Sequence, residues 1–404
     1  MYLSLSWRNL WRNKRRTIIA AASVFFAVVL AIAMRSMQHG SYAYMIYSSA
    51  KLFTGYLQIQ GKNYWENRSL DESISINSQQ LDSVAAIPHV TSATPRLEAY
   101  SLISFKNSTK VSQVIGVDPQ AENAMTDLES RVVDGQYLRP GSDGVLIGRG
   151  LAEVLGVNVG DSIVLYGQGY HGQIAAAQLP IDGIVKLPFP EMNNGLAYLT
   201  LSNAQDIFSA YGRITSLAIM VDNLNHLQGV RDSIGGLFDD RYTIMTWDEM
   251  MPDLVQGIEL DNASGIIMLI ILYIVIAFGV FGSIMMMTSE RAKEFGILIS
   301  VGMKRIKLAS VTTLETIFIS LLGVLAGIAG SLPVIYYFYA NPIRITGEAA
   351  KAYEMFGVEP ILAFSKDAGI FFSQSLVVLI IALATALYPL IFIYRLRPVK
   401  AIRG

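Results

Sequence analysis

The chain has 404 residues, of which 52% are hydrophobic and 16% charged, and its formal net charge is −1. This composition is too apolar for an ordinary soluble protein and too polar for a chain that lies wholly in a bilayer. We therefore expect membrane spans together with a folded polar domain. The balanced charge gives no indication of nucleic-acid binding, and the lack of cysteine excludes disulfides and thiolate chemistry.

The first segment of the chain is basic and aromatic. Residues 1–16 contain five Lys and Arg residues and no acid, with Trp7 and Trp11 interleaved among them. This pattern is typical of a cytoplasmic segment at a membrane surface.

An apolar run at 18–34 follows and has the minimum length of a membrane span, and residues 36–40 can extend it with tilt. Cleavage as a signal peptide is the alternative, because small residues at 31–33 form a cleavage-type site. Arg35 directly after that site favours an uncleaved anchor. The polar residues up to Lys51 predict that the helix continues outward as a stalk.

Residues 40–260 are predicted to form a large extracytoplasmic α+β domain of short alternating elements, inserted between the first and second membrane helices. Turn residues separate runs of β-branched, aromatic and aliphatic residues. These strand-like runs lie at 55–60, 97–106, 110–117, 144–148, 162–166, 180–187, 196–201 and 215–221.

Two helix starts within this domain are indicated by capping residues. Asn77 or Ser78 can cap a short helix running to residue 86. Ser202 with Gln205 has the spacing of a capping box and predicts a helix that ends near Tyr211.

A long helix is predicted at the end of this domain. Thr246 and Glu249 have the spacing of a capping box, and after Pro252 nothing clearly breaks a helix before the end of the apolar run 266–288. One helix is therefore expected to run from the domain through the membrane as a mechanical lever.

Two further spans are predicted at 311–340 and 370–393. Glu315 lies near the inner end of the first and is expected to be paired or solvated, with a transport role as the alternative. The same span carries small residues at i, i+4 and i+7, which allow close helix packing within the chain or at a dimer interface. They are Gly323, Gly327 and Gly330.

The distribution of basic residues predicts the topology. Five Lys and Arg residues lie in 1–16, five in 290–309 and four at the C-terminus, against three in the loop 341–368. The excess of positive charge on the cytoplasmic side places both termini and the 290–309 connection in the cytoplasm.

The connection at 290–305 has to reverse the chain at the membrane surface. Its apolar residues fall on one stripe of a short helix, and charged residues cover most of the remaining surface. Gly302 suits the left-handed position that ends a helix. An interfacial helix among lipid headgroups is the plainer interpretation, and a handle for a soluble partner is the other. The stripe comprises Phe295, Leu298, Ile299, Gly302 and Ile306.

The same segment carries a recognisable pattern. Glu, Arg, two residues, Glu, an apolar residue and Gly are followed by an apolar run closed by Gly and two basic residues further on. This pattern resembles the signature of the FtsX-like permeases, the membrane subunits of ABC machines of the MacB and lipoprotein-releasing types. The matching positions are Glu290, Arg291, Glu294, Gly296 and Gly302.

The resemblance implies a coupling helix that docks in a cleft of a cytoplasmic ABC ATPase, formed by the five matching residues together with Phe295, Met303, Lys304 and Arg305. It also implies a cell inner membrane location and a working unit of two permease chains, identical or paralogous, with two separately encoded ATPases that bind ATP and Mg. The chain looks most like a lipoprotein-releasing permease, and an exporter of peptides or small amphiphiles is the alternative. Its expected partners then include a lipoprotein or amphiphilic cargo and membrane lipid.

No enzymatic motif is found in the sequence. The nearest approach to a phosphate-binding loop, at 55–62, has the wrong glycine spacing, so ATP and Mg are expected to bind only to the partner ATPase. No cofactor, catalytic residue or metal site is expected in this chain. The histidines are isolated, because none has a second histidine or a carboxylate at metal-ligand spacing in the sequence. They are His39, His89, His171 and His226.

Two other functions remain open. The lever could activate an extracytoplasmic cell-wall hydrolase without transporting anything, as the FtsX branch does in resemblance terms. A passive channel is the third class, but the spans lack the continuous polar face that a channel needs.

The predicted organisation is therefore membrane α-helical, with four transmembrane helices and one large extracytoplasmic α+β domain. The boundaries are 1–16 for the cytoplasmic N-terminus, 17–39 for the first span, 40–260 for the domain with its stalks, 261–289 for the second span, 290–309 for the coupling helix, 310–340 for the third span, 341–368 for the outer loop, 369–394 for the fourth span and 395–404 for the cytoplasmic tail.

Overall fold

The structure is a computed structural model that describes residues 2–12, 14–355 and 359–403. The outermost residues of both predicted cytoplasmic termini, Asn13 and positions 356–358 of the predicted outer loop lie outside the described residues. Contacts divide the chain into two compact units. The helical unit is Met1–Ala43, Gly257–Arg344 and Ile361–Gly404, and the sheet unit is Tyr44–Gln256 and Ile345–Pro360.

Helices account for the helical unit and flank the strands of the sheet unit. Short 3₁₀ turns occur at Leu70–Glu72, Glu129–Arg131, Tyr170–Gly172 and Leu224–His226. The helices are α1 (Tyr2–Arg12), α2 (Lys14–Leu52), α3 (Tyr64–Asn67), α4 (Ser78–Ala85), α5 (Pro119–Thr126), α6 (Arg149–Leu155), α7 (Pro190–Gly195), α8 (Leu201–Ile207), α9 (Leu227–Gly235), α10 (Trp247–Met250), α11 (Pro252–Glu290), α12 (Ala292–Ser300), α13 (Arg305–Ala340), α14 (Glu348–Met355), α15 (Ala368–Thr385), α16 (Leu387–Arg395) and α17 (Pro398–Arg403).

Within the described residues, four helices are long and apolar enough to cross a membrane: Lys14–Leu52, Pro252–Glu290, Arg305–Ala340 and Ala368–Arg395. The last of them bends between α15 and α16. Pro389 explains the bend, because a proline ring clashes with the carbonyl group four residues earlier in a helix. The predicted fold class, four membrane helices with an α+β domain after the first, is confirmed.

The core of the helical unit forms where the spanning helices meet. Val28 and Ile32 of α2 are fully buried and pack with Val280 of α11, Val324 of α13 and Val378 of α15. Other side chains of α11 remain exposed along its length. In a membrane these apolar side chains need not be buried, because lipid tails are as apolar as the side chains are.

The small residues of α13 face α2 of the same chain. A Cβ atom added at Gly323 would lie 2.6 Å from Cβ of Val24, and one added at Gly327 would lie 2.7 Å from Cβ of Val28. A Cβ atom added at Gly330 would lie 2.6 Å from the ring of Phe25. The helices can approach this closely because these positions lack side chains.

We expect Gly327→Ala to destabilise the helical unit by about 1–3 kcal/mol, because the added methyl group overpacks the α2–α13 contact. Gly282→Ala in α11 is the matched control, since nothing lies within 4 Å of a Cβ atom there. Thermal unfolding of the detergent-purified chain measures both. Equal midpoints for the two variants would contradict this account of the contact.

Strands form one continuous sheet in the sheet unit. Their order is β10-β1-β9-β2-β3-β8-β5-β7-β4, and β6 pairs with both β2 and β7. A separate two-stranded ribbon, in the helical unit, pairs β11 with β12. The strands are β1 (Leu57–Gly61), β2 (Val90–Phe105), β3 (Ser108–Val117), β4 (Val132–Gly135), β5 (Val145–Gly148), β6 (Ser162–Gln168), β7 (Ile174–Val185), β8 (Leu196–Thr200), β9 (Ser216–Val221), β10 (Tyr242–Thr246), β11 (Ile343–Arg344) and β12 (Ile361–Leu362).

The length of β2 explains why the sheet closes on itself. Its first half pairs with β9 and its second half pairs with β6, while β3 occupies the other edge. Strands β2, β3, β8, β5, β7 and β6 therefore form a ring, in which only β3–β8 and β5–β7 are parallel among the described strands. Inward residues such as Leu97, Ile147, Ile163 and Leu199 fill its core together with α6 and α8.

A buried ion pair ties the end of α2 to this sheet. Arg96 of β2 and Glu122 of α5 are each 1% exposed, and the guanidinium donates two hydrogen bonds to the carboxylate at 2.9 and 2.8 Å. Arg96 also donates to the carbonyl group of Phe53, directly after α2. Burial alone lowers the pKa of Arg96, but the adjacent Glu122 carboxylate outweighs it and raises the pKa above its usual value.

We expect Arg96→Met to cost about 3–5 kcal/mol of stability, because the Glu122 carboxylate would remain buried without its partner. Hydrogen exchange of residues 90–126 in the full chain should show the loss of protection. Arg241→Met is the control, since the Arg241–Asp239 pair lies on the surface of the same unit. Unchanged protection in Arg96→Met would refute the role of this pair.

Most sequence-predicted elements of the domain are confirmed, with shifted ends. The predicted hairpin is formed by β2 and β3, and the strands predicted at 144–148 and 215–221 are present as β5 and β9. Asn77 caps α4 in a capping box with Gln80, and Thr246 forms the predicted box with Glu249. The edge strands β4 and β10 and the helices α5 and α9 were not predicted.

One predicted helix start is wrong, and one predicted helix is divided in two. The cap of α8 is Thr200, whose hydroxyl accepts a hydrogen bond from the amide of Asn203, and the helix ends at Ile207. The predicted single lever is interrupted at Met251, with φ −124° and ψ 60°. The residue before a proline is sterically biased away from helical dihedrals, so the long helix begins anew at Pro252.

Part of the predicted outer loop belongs to the sheet unit. Residues Ile345–Pro360 group with that unit. Glu359 accepts a hydrogen bond from the hydroxyl of Tyr44 and forms an ion pair with Arg131 at 3.6 Å. No pattern in the sequence indicates these long-range contacts.

Candidate functional site

The segment between α11 and α13 contains the short helix α12 and a tight turn. After Ser300 the chain ends the helix with two hydrogen bonds, from the amide of Gly302 to the carbonyl of Ile299 and from the amide of Met303 to the carbonyl of Leu298, both 3.0 Å. Gly302 has φ +108°, in the range that favours glycine. This is a Schellman motif, and it fixes the angle at which α13 begins.

A buried ion pair anchors the start of this segment. Arg291 and Glu315 are both buried, and the guanidinium donates a hydrogen bond to Oε2 of the carboxylate. The other oxygen, Oε1, accepts from the side-chain amide of Asn9 at 2.6 Å. Both carboxylate oxygens are therefore bonded, as a buried carboxylate requires. Glu315 is paired, which was one of its two expected states.

Helix α1 joins the same network. Ser6 donates to the carbonyl of Val311 at 3.2 Å, and the ring of Trp7 meets that of Phe318 edge-on at a centroid distance of 5.8 Å. Ser6 and Asn9 lie one helical turn apart, so both reach α13 from the same face. The N-terminal helix thus packs along α13 within the helical unit.

Ion pairs also link the ends of α1 and α2 to the segment. Nε of Arg16 lies 2.7 Å from Oε2 of Glu290, and Arg12 lies 4.0 Å from Glu294. Glu294 accepts a further hydrogen bond from Arg291 at 3.4 Å. These groups are partly exposed, so each pair contributes little stability by itself.

The inner side of the segment packs on the start of α13 and the end of α16. Phe295 is fully buried and Gly296 is buried, and Phe295 packs with Leu308, Ile393 and Leu396. Arg305 donates hydrogen bonds to the carbonyls of Tyr394 and Leu396. The guanidinium of Arg305 therefore caps the C-terminal end of α16, where helix carbonyls lack partners.

The outer side of the segment is amphipathic. Val301 is 83% exposed, and Ile297 and Leu298 are 47% and 43% exposed. Charged residues of the same segment are also exposed, and they are Lys293, Glu294, Lys304 and Lys307. An exposed apolar patch with a polar rim is typical of a protein–protein contact.

The predicted coupling residues therefore separate into two groups. Arg291, Phe295, Gly296 and Arg305 make internal contacts, and Met303 is half-buried against the same core. Glu290, Glu294, Gly302 and Lys304 are exposed. The predicted stripe does not extend along one helix, because the turn at Gly302 separates Ile306 from α12.

A second exposed apolar surface lies on the sheet unit. Cross-strand pairing brings Leu102 opposite Tyr166 and Val111, on the outward side of β2, β3 and β6. These side chains are 40% to 62% exposed. With Tyr100 and Ile174 they line a shallow depression of about 530 Å³. The alternation of outward residues along the strands could have indicated this surface from the sequence.

The expectation of isolated histidines is wrong for two of them. His89 and His226 lie against Asp222, with Nδ1 atoms 2.9 and 2.8 Å from the two carboxylate oxygens. The residues are 133 and 4 positions from Asp222 in the sequence. Pairing of β2 with β9 brings His89 to Asp222, which local spacing cannot show, whereas Asp222 and His226 are close in the sequence.

Two family models match this chain. Residues 17–237, more than half of the chain, match the MacB-like periplasmic core domain, and residues 266–398 match the FtsX-like permease C-terminal region. The chain therefore belongs to the family of ABC-type permeases that combine these two regions. The second match includes the 290–305 segment.

Individual relatives are distant in sequence. A lipoprotein-releasing system transmembrane protein LolC from Xylella fastidiosa (strain 9a5c) is 23% identical over 332 residues, covering 78% of each chain. A macrolide export ATP-binding/permease protein MacB 2 from Aeromonas hydrophila subsp. hydrophila is 19% identical, covering 79% of this chain and 50% of that protein. The extracellular domain of the ABC-type transporter YknZ from Gram-positive bacteria matches with a TM-score of 0.35 and 11% identity, covering 47% of this chain and 99% of the solved one.

We expect Arg291→Met to destabilise the helical unit by about 3–5 kcal/mol, because it leaves Glu315 buried without its cation. The double variant Arg291→Met/Glu315→Leu should recover most of the loss, since both charges are then absent. Thermal unfolding of the purified chain measures the cycle. A double variant no more stable than Arg291→Met would show that the ion pair is not the cause.

Proposed function

We propose that this chain is the permease subunit of an ABC machine in which a separate cytoplasmic ATPase drives motions of the sheet unit that release a lipoprotein or another amphiphile from the membrane. The observation that carries the proposal is the exposed patch of Ile297, Leu298 and Val301 on a segment with internal anchors. Such a patch provides a docking surface, and the anchors make it a lever.

The anchors allow a force on α12 to reach the spanning helices. A force on the patch acts on Phe295, which packs on α13, and on Arg291, which is hydrogen-bonded to Glu315. Glu315 is in turn bonded to Asn9 of α1. Packed interiors transmit displacement because they contain few voids, so the segment moves with these helices rather than bending alone.

The continuous helices carry the motion further. Helix α2 runs unbroken from Lys14 to Leu52, and its end is held by Arg96 within the sheet unit. Helix α11 runs from Pro252 to Glu290. In this proposal the permease lies in the inner membrane of the cell. Both termini and α12 then lie in the cytoplasm, as the distribution of basic residues predicts.

The outward apolar surface of the sheet unit supports an amphiphilic cargo. Leu102, Val111, Tyr166 and Ile174 are exposed together, and exposed apolar surface of this kind marks contact sites for apolar ligands or partners. A lipoprotein is the favoured cargo because the 23% identical relative is named as part of a lipoprotein-releasing system. In this proposal a second permease chain, identical or paralogous, completes the machine.

The docking patch can be tested with Val301→Asp, which places a charge on the apolar surface without touching the internal anchors. We expect loss of most of the co-purifying ATPase from native membranes in mild detergent, while the yield of folded permease stays unchanged. Leu237→Asp is the matched control, because Leu237 is 46% exposed in the sheet unit. Mass spectrometry of the purified complexes gives the result.

The identity of the co-purifying chains tests the rest of the proposal. A stoichiometric ATPase together with a lipid-modified protein supports release of lipoproteins. A bound cell-wall hydrolase without lipid-modified cargo would instead indicate a signal transmitter. Absence of an ATPase even after cross-linking at residue 301 would overturn the coupling function.

A further inference from the structure

Three side chains of metal-ligating type meet at one edge of the sheet unit. His89 directly precedes β2, Asp222 directly follows β9, and His226 ends the turn before α9. The two imidazole rings stack at a centroid distance of 3.6 Å, and their Nδ1 atoms point to different oxygens of the Asp222 carboxylate. One ligand atom of each residue lies within 4.8 Å of the others.

The backbone holds these residues in place. The amide of Asp222 donates to the carbonyl of His89 at 3.0 Å, which continues the pairing of β2 with β9. His89 has φ +73°, a left-handed conformation that a non-glycine residue adopts only at some cost. Asn223 caps the turn that presents His226 through its bond to the amide of Asn225. The cluster is therefore built by the fold rather than by long surface side chains meeting at random.

The ligand types of the cluster suit a transition-metal cation. Asp222 supplies a carboxylate, and His89 and His226 each approach a different oxygen of it. Two imidazoles with one carboxylate form a ligand set that prefers borderline transition-metal ions to Mg²⁺ or Ca²⁺, which take oxygen ligands.

We propose that His89, Asp222 and His226 bind a divalent transition-metal ion of the Zn²⁺ class. The two rings are partly exposed, at 45% and 41% of their side-chain area, and have to turn about the Cβ–Cγ bond to direct their lone pairs to one point. Ligand atoms around tetrahedral Zn²⁺ lie about 3.3 Å apart, given metal–ligand bonds of about 2.0–2.1 Å. The Nδ1 atoms of His89 and His226 now lie 2.9 and 2.8 Å from the two carboxylate oxygens, at hydrogen-bond spacing, so both contacts have to lengthen when an ion enters between them. Water completes the coordination.

The bound ion would act as a structural clamp. It would join the start of β2 to the end of β9 and the start of α9, and so link segments far apart in the sequence. The chain contains no cysteine, so disulfides cannot supply such a link.

The test uses the full chain in detergent, purified with an affinity tag that lacks histidine. Zn²⁺ is titrated by calorimetry, and Co²⁺ is added as a spectroscopic probe whose visible bands report tetrahedral coordination. The variants are His89→Asn, since asparagine tolerates the left-handed conformation, and His226→Gln. His171→Gln is the matched control, because His171 lies 3.5 Å from a single carboxylate, that of Asp71, in the same unit.

We expect the unchanged chain and His171→Gln to bind one Zn²⁺ with equal affinity and to show Co²⁺ bands. Each cluster variant should weaken binding at least about tenfold and lose the bands. Zn²⁺ should also raise the thermal unfolding midpoint of the unchanged chain but not that of the variants. Equal binding by His89→Asn and the unchanged chain, or no binding by the unchanged chain at micromolar Zn²⁺, would overturn the proposal.

Discussion

The ion pair between Arg291 and Glu315 is the constraint on which the helical unit depends. A carboxylate among apolar helices is costly unless its charge and its hydrogen-bonding capacity are both satisfied. Here the guanidinium and the side-chain amide of Asn9 do so together. The three partners come from α1, from the residue before α12 and from α13, so satisfying one charge fixes three elements against one another. The 290–305 segment inherits its rigidity from this network, and its apolar residues Ile297, Leu298 and Val301 remain exposed.

The sheet unit also contains a buried ion pair that fixes a helix end. Arg96 is buried and bonded to Glu122, and it also holds the carbonyl of Phe53. A helix end leaves carbonyl groups without partners, and a buried arginine satisfies one of them while joining it to the sheet. Arg305 plays the same part at the end of α16. Each unit therefore uses arginine, with its several fixed donors, to attach a helix terminus to its neighbours.

The two exposed apolar surfaces differ in how they arise. On α12 the inner side is occupied by Phe295, so that Ile297, Leu298 and Val301 must face outward. On the sheet, alternation along β2 places Leu97 and Ile103 in the core and leaves Leu102 outside. Both surfaces therefore follow from regular geometry once the core side is filled. Their apolar character is not required by the fold, and this is the physical reason for assigning them to partners.

Local patterns in the sequence determined much of this protein. The apolar runs were long enough to predict the four spans, and cap residues such as Asn77 and Thr246 set helix starts through bonds to neighbours only a few positions away. The helix end at Gly302 could be predicted because a left-handed conformation is a local property that favours glycine. The family pattern at 290–305 singled out the segment between α11 and α13, although not which of its residues face inward. The tertiary structure alone decided the partners of Glu315, the closure of the sheet ring, the assignment of Ile345–Pro360 to the sheet unit and the meeting of His89 with His226. These depend on side chains that approach across tens or hundreds of residues, and such distances leave no period or spacing in the chain.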